Sequence, residues 1–61
     1  MWTVIHITYQ EDDAQKVKEK LSSEGFLVKI KQVGKNEDVI FELSVPEAEA
    51  EEAHSVINDN Y

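Results

Sequence analysis

The chain has 61 residues, 13 of them acidic against six lysines and no arginine, for a formal net charge of −7. A chain this short buries only about 60% of the surface its unfolded form exposes, so it makes one domain over residues 1–61 with a narrow margin of stability and leaves no room for a second. The acidity repels phosphate backbones and the missing arginine removes the usual bidentate reader of phosphates and guanines, which argues against nucleic acid; the missing cysteine excludes disulfides, thiolate metal sites and cysteine nucleophiles and fits a reducing, cytoplasmic setting.

Residues 2–9, WTVIHITY, are rich in β-branched and aromatic types and free of Gly, Pro and charge, and predict a strand. Strict two-residue alternation puts Ile5 and Ile7 on one face and Trp2, Val4 and His6 on the other. The same opening lacks the basic start and long apolar run of a signal peptide, and no stretch approaches the roughly 20 apolar residues of a membrane span. The expectation is a soluble chain.

Over residues 11–24 the period changes. Ala14, Val17 and Leu21 form one helical stripe, and Glu11, Asp12 and Asp13 sit in a first turn where the exposed N–H groups favour negative charge. Gly25 stops this helix in the left-handed conformation, with Phe26 folded back on Leu21 as in a Schellman ending. Residues 26–33 alternate again, Phe26, Val28 and Ile30 facing one way and Leu27, Lys29 and Lys31 the other. Gly34 and Asn36 supply a hairpin turn into residues 39–45, where Val39, Phe41, Leu43 and Val45 oppose Ile40, Glu42 and Ser44. Pro46 suits a helix start, and Glu47, Glu49 and Glu51 complement its dipole. The second helix buries Ala50, Ala53 and Ile57, with Val56 at the margin, and residues 58–61 fray.

This order predicts an α+β fold. The hairpin pairs the second and third strands. Lys29 and Lys31 protect an edge, whereas the apolar third strand suits the centre. The result is a three-stranded antiparallel sheet in order 1-3-2 with both helices on one face, a ferredoxin-like β-α-β-β-α-β unit lacking its last strand. The expected core is Ile5, Ile7, Ala14, Val17, Leu21, Phe26, Val28, Ile30, Phe41, Leu43, Ala53 and Ile57. The first strand is then left with a bare, uncharged edge. The uncovered face presents Trp2, Val4, His6, Leu27, Lys29, Ile40 and Glu42, and the first six of these are the expected residues for a partner or ligand.

Candidate chemistry is sparse. His6 and His54 fall on opposite sides of the sheet in this reading and cannot share a metal or proton relay within one chain. Glu51 and His54 form a Glu-x-x-His pair, but di-iron sites need two such motifs and two further glutamates, so only a dimer could complete one. Glu47, Glu49, Glu51 and Glu52 stand on an exposed helix start without an apolar pocket to raise a pKa. No serine lies in a nucleophile elbow, and the two glycines are used for a helix stop and a turn rather than a phosphate loop.

Three stretches carry a family likeness: MWTVIHI, SSEGFLVKIKQVG and LSVPEAEAEEAHSVI. On these the chain resembles a group of very small bacterial proteins described as prokaryotic signal-transducing proteins, whose domain has no assigned function. The likeness spans nearly the whole length, and its motifs specify capping and packing. Similar chains sometimes carry the label glutamate decarboxylase. The residues here do not support it, because a pyridoxal-phosphate site needs a Schiff-base lysine, an acid for the ring nitrogen and a phosphate cup. The functional expectation is a non-enzymatic binding or regulatory module, without cofactor, that engages a protein partner or small ligand and self-associates as a homodimer through the first-strand edge or the open face. The competing expectation is an accessory metal-binding protein or enzyme subunit using Glu51 and His54 across a dimer.

Overall fold

The structure, a computed structural model, describes residues 1–60. The elements run β1 (Trp2–Thr8), α1 (Glu11–Ser23), β2 (Lys29–Val33), β3 (Ile40–Pro46), a 3₁₀ turn (Glu47–Glu49) and α2 (Ala50–Asn60). The sheet is antiparallel in the order β1-β3-β2, as expected for this α+β chain. Of the expected frayed end, residues 58–60 stay within α2, and Tyr61 lies outside the described residues. No helix among the described residues is long and apolar enough to cross a membrane.

Both helices lie on one face of β3, whose Phe41, Leu43 and Val45 meet Ala14, Val17 and Leu21 of α1 and Ala53 and Ile57 of α2 in a single cluster. Phe26, Val28, Ile30 and Ile5 pack at its rim. The helix-to-strand passage forms as the sequence implies. Gly25 has φ +95°, its N–H donates to the Ser22 carbonyl at 3.0 Å, and the Phe26 N–H donates to the Leu21 carbonyl at 3.1 Å. These are the paired bonds of a Schellman ending, with Phe26 returned toward Leu21. Because Phe26 and Leu27 serve this passage, β2 begins at Lys29, three residues later than the alternation suggests.

The expected face assignment fails in β1. Val4 pairs with Ser44 and His6 with Leu43, so Ile5 is an extra residue in a β-bulge. Past the bulge the alternation inverts. His6 and Thr8 now lie beneath the helices, opposite Leu43 and Phe41, and Ile7 turns outward opposite Glu42. Ile7, expected in the core, is 52% exposed; Val45, absent from the expected core, has no exposure.

Pro46 stands at a helix start as expected, as N-cap of the 3₁₀ turn, and it also closes β3, one residue past the expected end of the strand. Glu47 N–H donates to the Met1 carbonyl at 2.8 Å. Met1 and Glu47 are therefore a hydrogen-bonded pair, and Pro46 opposite Trp2 is a non-hydrogen-bonded one that asks no donor of the proline on that side. On its other side the β2 ladder starts only at Ser44. The chain then turns through the 3₁₀ segment before α2 begins at Ala50.

Two stability measurements check these placements. A Cβ on Gly25 would meet nothing within 4 Å, so substitution there costs only the positive φ, of order 1–2 kcal/mol for a β-branched residue. Gly25→Val is expected to unfold at lower urea than Gly25→Asn, and equal midpoints would contradict the left-handed cap. Ile7→Thr on the open side is expected to stay within about 0.5 kcal/mol of the parent, whereas Leu43→Ala costs about 2–5 kcal/mol. A loss for Ile7→Thr as large as that for Leu43→Ala would return Ile7 to the core.

Candidate functional site

The face of the sheet turned away from the helices has a definite composition once the register is known. β1 contributes Trp2, Val4 and Ile7, β3 contributes Ile40, Glu42 and Ser44, and β2 contributes Lys29, Lys31 and Val33. Trp2 and Val4 are each 45% exposed and Ile7 52%. These three lie on the open face of the same edge strand, Trp2 and Val4 before the bulge and Ile7 past it.

Within this face one interaction spans all three strands. Lys29 on one edge strand pairs across Ser44 of β3, and its Nζ sits 4.4 Å from the centre of the Trp2 ring on the other edge. The ammonium meets the negative face of the indole, and the aliphatic stem must cross the central strand to get there. That crossing accounts for Ser44, which is buried at 8% exposure although no helix covers its side of the sheet.

The structure sorts the sequence-derived candidates unevenly. Trp2, Val4, Lys29 and Ile40 are together on the open face. Leu27 is exposed beside it in the passage before β2, where its N–H donates to Glu49 Oε1 at 3.2 Å. His6 is not on this face. The bulge turns it to the helix side, its Nε2 sealed from solvent and without a hydrogen-bond partner among the described residues, 3.9 Å from Asp13 Oδ2. Ile7 takes its place on the open face. The signal for this exchange in WTVIHIT is faint, because β-branched residues occupy both faces and no polar alternation sets the register.

The expectation that the two histidines lie on opposite sides of the sheet is thereby corrected, since His6 now shares the helix side with α2. His54 is exposed on α2, its Nδ1 3.4 Å from Asn58 Nδ2, and Glu51 is exposed on the same helix. No group of three or more His, Asp or Glu side chains placed to hold a metal occurs among the described residues. At the junction of β1 and α1 an open depression is lined by Thr8, Tyr9, Gln10, Asp12, Asp13 and Lys16. Its acids belong to the first turn of α1.

The unpaired side of β1 adjoins the open face. Since Met1 turns its carbonyl toward β3, the two-residue alternation turns the N–H and C=O of Trp2 and Val4 away from it, into the place a fourth strand would take. The bulge at Ile5 interrupts this edge and re-aims the residues beyond it, a protection of the kind natural edge strands use. Comparison of the chain with protein-family models, curated proteins and solved structures returns no match.

The Trp2–Lys29 contact can be read directly, because Trp2 is the chain's single tryptophan. Lys29→Ala is expected to raise acrylamide quenching of its fluorescence and to cost about 0.5–1 kcal/mol in urea unfolding. Quenching identical to that of the parent would show that the lysine does not cover the ring.

Proposed function

We propose that this chain is a non-enzymatic binding module of the cytoplasm, in a regulatory or signal-transducing role, that works by covering its open sheet face and the adjoining β1 edge with a protein partner. The observation that carries this reading is the set of apolar residues Trp2, Val4 and Ile7, about half exposed on the open face of one edge strand in a chain otherwise strongly acidic. Single exposed apolar residues need no explanation, but several of them on one face of a free edge strand are an arrangement that partner segments use. Lys29 spanning to Trp2 pre-orders the ring, so less side-chain freedom is lost when a partner docks.

The absence of an enzymatic role in this reading rests on where the polar groups stand. Nε2 of His6 is closed off under the helices, His54, exposed on α2, sits beside Asn58, and Glu51 and Glu52 are exposed on the same helix. None of them faces those apolar residues. The missing cysteine supports the cytoplasmic setting, and the resemblance to small signal-transducing proteins supports the regulatory one.

The test compares retention of proteins from a native extract on the parent, on Ile7→Lys and on Glu19→Lys, the last on an exposed turn of α1. The expected outcome is a protein held by the parent and by Glu19→Lys and lost from Ile7→Lys. Equal retention by all three would place the binding surface elsewhere and overturn the reading.

A further inference from the structure

The charges of this molecule are sorted by strand. β1 carries no charged side chain at all, and the segment after β3, residues 47–60, carries Glu47, Glu49, Glu51, Glu52 and Asp59 without one lysine. β2, at the opposite edge of the sheet, carries Lys29 and Lys31 and no acid. α2 packs chiefly over β1 and next over β3, whereas α1 reaches all three strands. The free edge of β1 therefore lies beside a helix that is acidic without compensation, and the other edge is basic.

We infer that the β1 edge takes an extended, basic segment of a partner protein as a fourth strand. The inference rests on the binding-module reading above and names the chemistry of its partner. Three features of this edge specify that segment. The outward N–H and C=O of Trp2 and Val4 supply backbone pairing. The apolar side chains of Trp2, Val4 and Ile7 line the open-face side of the vacant place, so alternate residues of the incoming strand are apolar. On the helix side the element packed most closely over β1 is α2, which carries Glu51, Glu52 and Asp59 and no lysine, so the residues between the apolar ones are Lys or Arg.

A second copy of this chain fits that place poorly. Pairing β1 with β1 about a two-fold axis would bring together two α2 helices, each with uncompensated acids, on the same side of a joined sheet. The bulge at Ile5 also shortens the regular ladder to its first residues. Backbone pairing alone is then brief, and complementary charge has to supply the rest. The β2 edge offers no equivalent, since Lys29 and Lys31 repel a basic strand and one of them is already committed to Trp2.

The experiment uses three synthetic probes: a seven-residue peptide alternating lysine and valine, the same peptide with glutamate for lysine, and the lysine peptide N-methylated at alternate positions. Binding is read by amide exchange and by ¹⁵N shifts on the whole chain. The lysine probe is expected to protect the Trp2 and Val4 amides, and the glutamate and methylated probes to bind at least about tenfold more weakly. The double variant Glu51→Lys with Glu52→Lys, both exposed on α2, should weaken the lysine probe by a similar factor. Equal binding of the methylated probe would reduce the effect to charge attraction without strand addition and overturn the inference. Equal binding of the glutamate probe, perturbation confined to β2, or no binding of the lysine probe would each overturn it too. Failure here with Ile7→Lys still losing its partner from extract leaves the binding-module reading standing; failure of both removes that reading as well.

Discussion

Every other feature of this chain depends on the burial of one side of β3. Phe41, Leu43 and Val45 alternate on that strand, and Leu43 and Val45 have no exposure because α1 and α2 close over them from the same side. A domain of this size has few other apolar residues to bury, so that side must be filled efficiently. The small residues Ala14 and Ala53, both without exposure, let the two helices come close to the sheet. Helices gathered on one side leave the other side with no element among the described residues to cover it. The open face is thus a consequence of how the core is made.

The same constraint acts on β1 through its bulge. Thr8 must end the strand where its hydroxyl can accept from the Gln10 N–H at 3.3 Å and start α1, and it is buried there opposite Phe41. Thr3, at the other end of the strand, pairs with Val45 on the same side. The odd number of steps from Thr3 to Thr8 cannot keep both on one side of a regular strand, since strand side chains alternate with period two. The extra residue at Ile5 resolves the conflict. Its consequences are the sealed position of His6, the outward position of Ile7 and an interrupted edge.

Charge is then unevenly divided over the surface. The acids spread over the helix side and the hairpin, while the open face carries Lys29, Lys31 and Glu42 among apolar neighbours. Lys29 serves twice, keeping a strand edge charged and clamping Trp2 across Ser44. Natural edges are protected by such lysines and by bulges, and here the two devices stand on opposite edges of one sheet. The edge with the bulge is the less charged and the more apolar of the two.

Most of the architecture was legible in the residues themselves. The 3.6-residue stripe of Ala14, Val17 and Leu21, the Gly25 stop with Phe26 behind it, the Gly34 turn and the apolar run of the third strand each act over a few neighbouring residues, and local geometry determines them. Of the expected open-face residues, Trp2, Val4, Lys29 and Ile40 were legible for the same reason, since Trp2 and Val4 precede the bulge and Lys29 and Ile40 lie in strands without one. The place of His6 and Ile7 was not, because a bulge is decided by which residues of β3 and which helix start must be satisfied at the two ends of β1, and WTVIHIT contains no polar alternation to record that choice. That Pro46 joins the strand as well as starting the helix was hidden for a related reason: its missing N–H bars it from a ladder only where a donor is required, and the non-hydrogen-bonded pairing with Trp2 requires none. The span from Lys29 over Ser44 to Trp2, and the acidic helix set beside the free edge, join residues far apart in the chain. Sequence by itself determined the elements, their order and the charge each carries; only the tertiary structure decided which side of β1 faces the core and which charges lie beside its free edge, because both depend on pairing across strands rather than on neighbours along them.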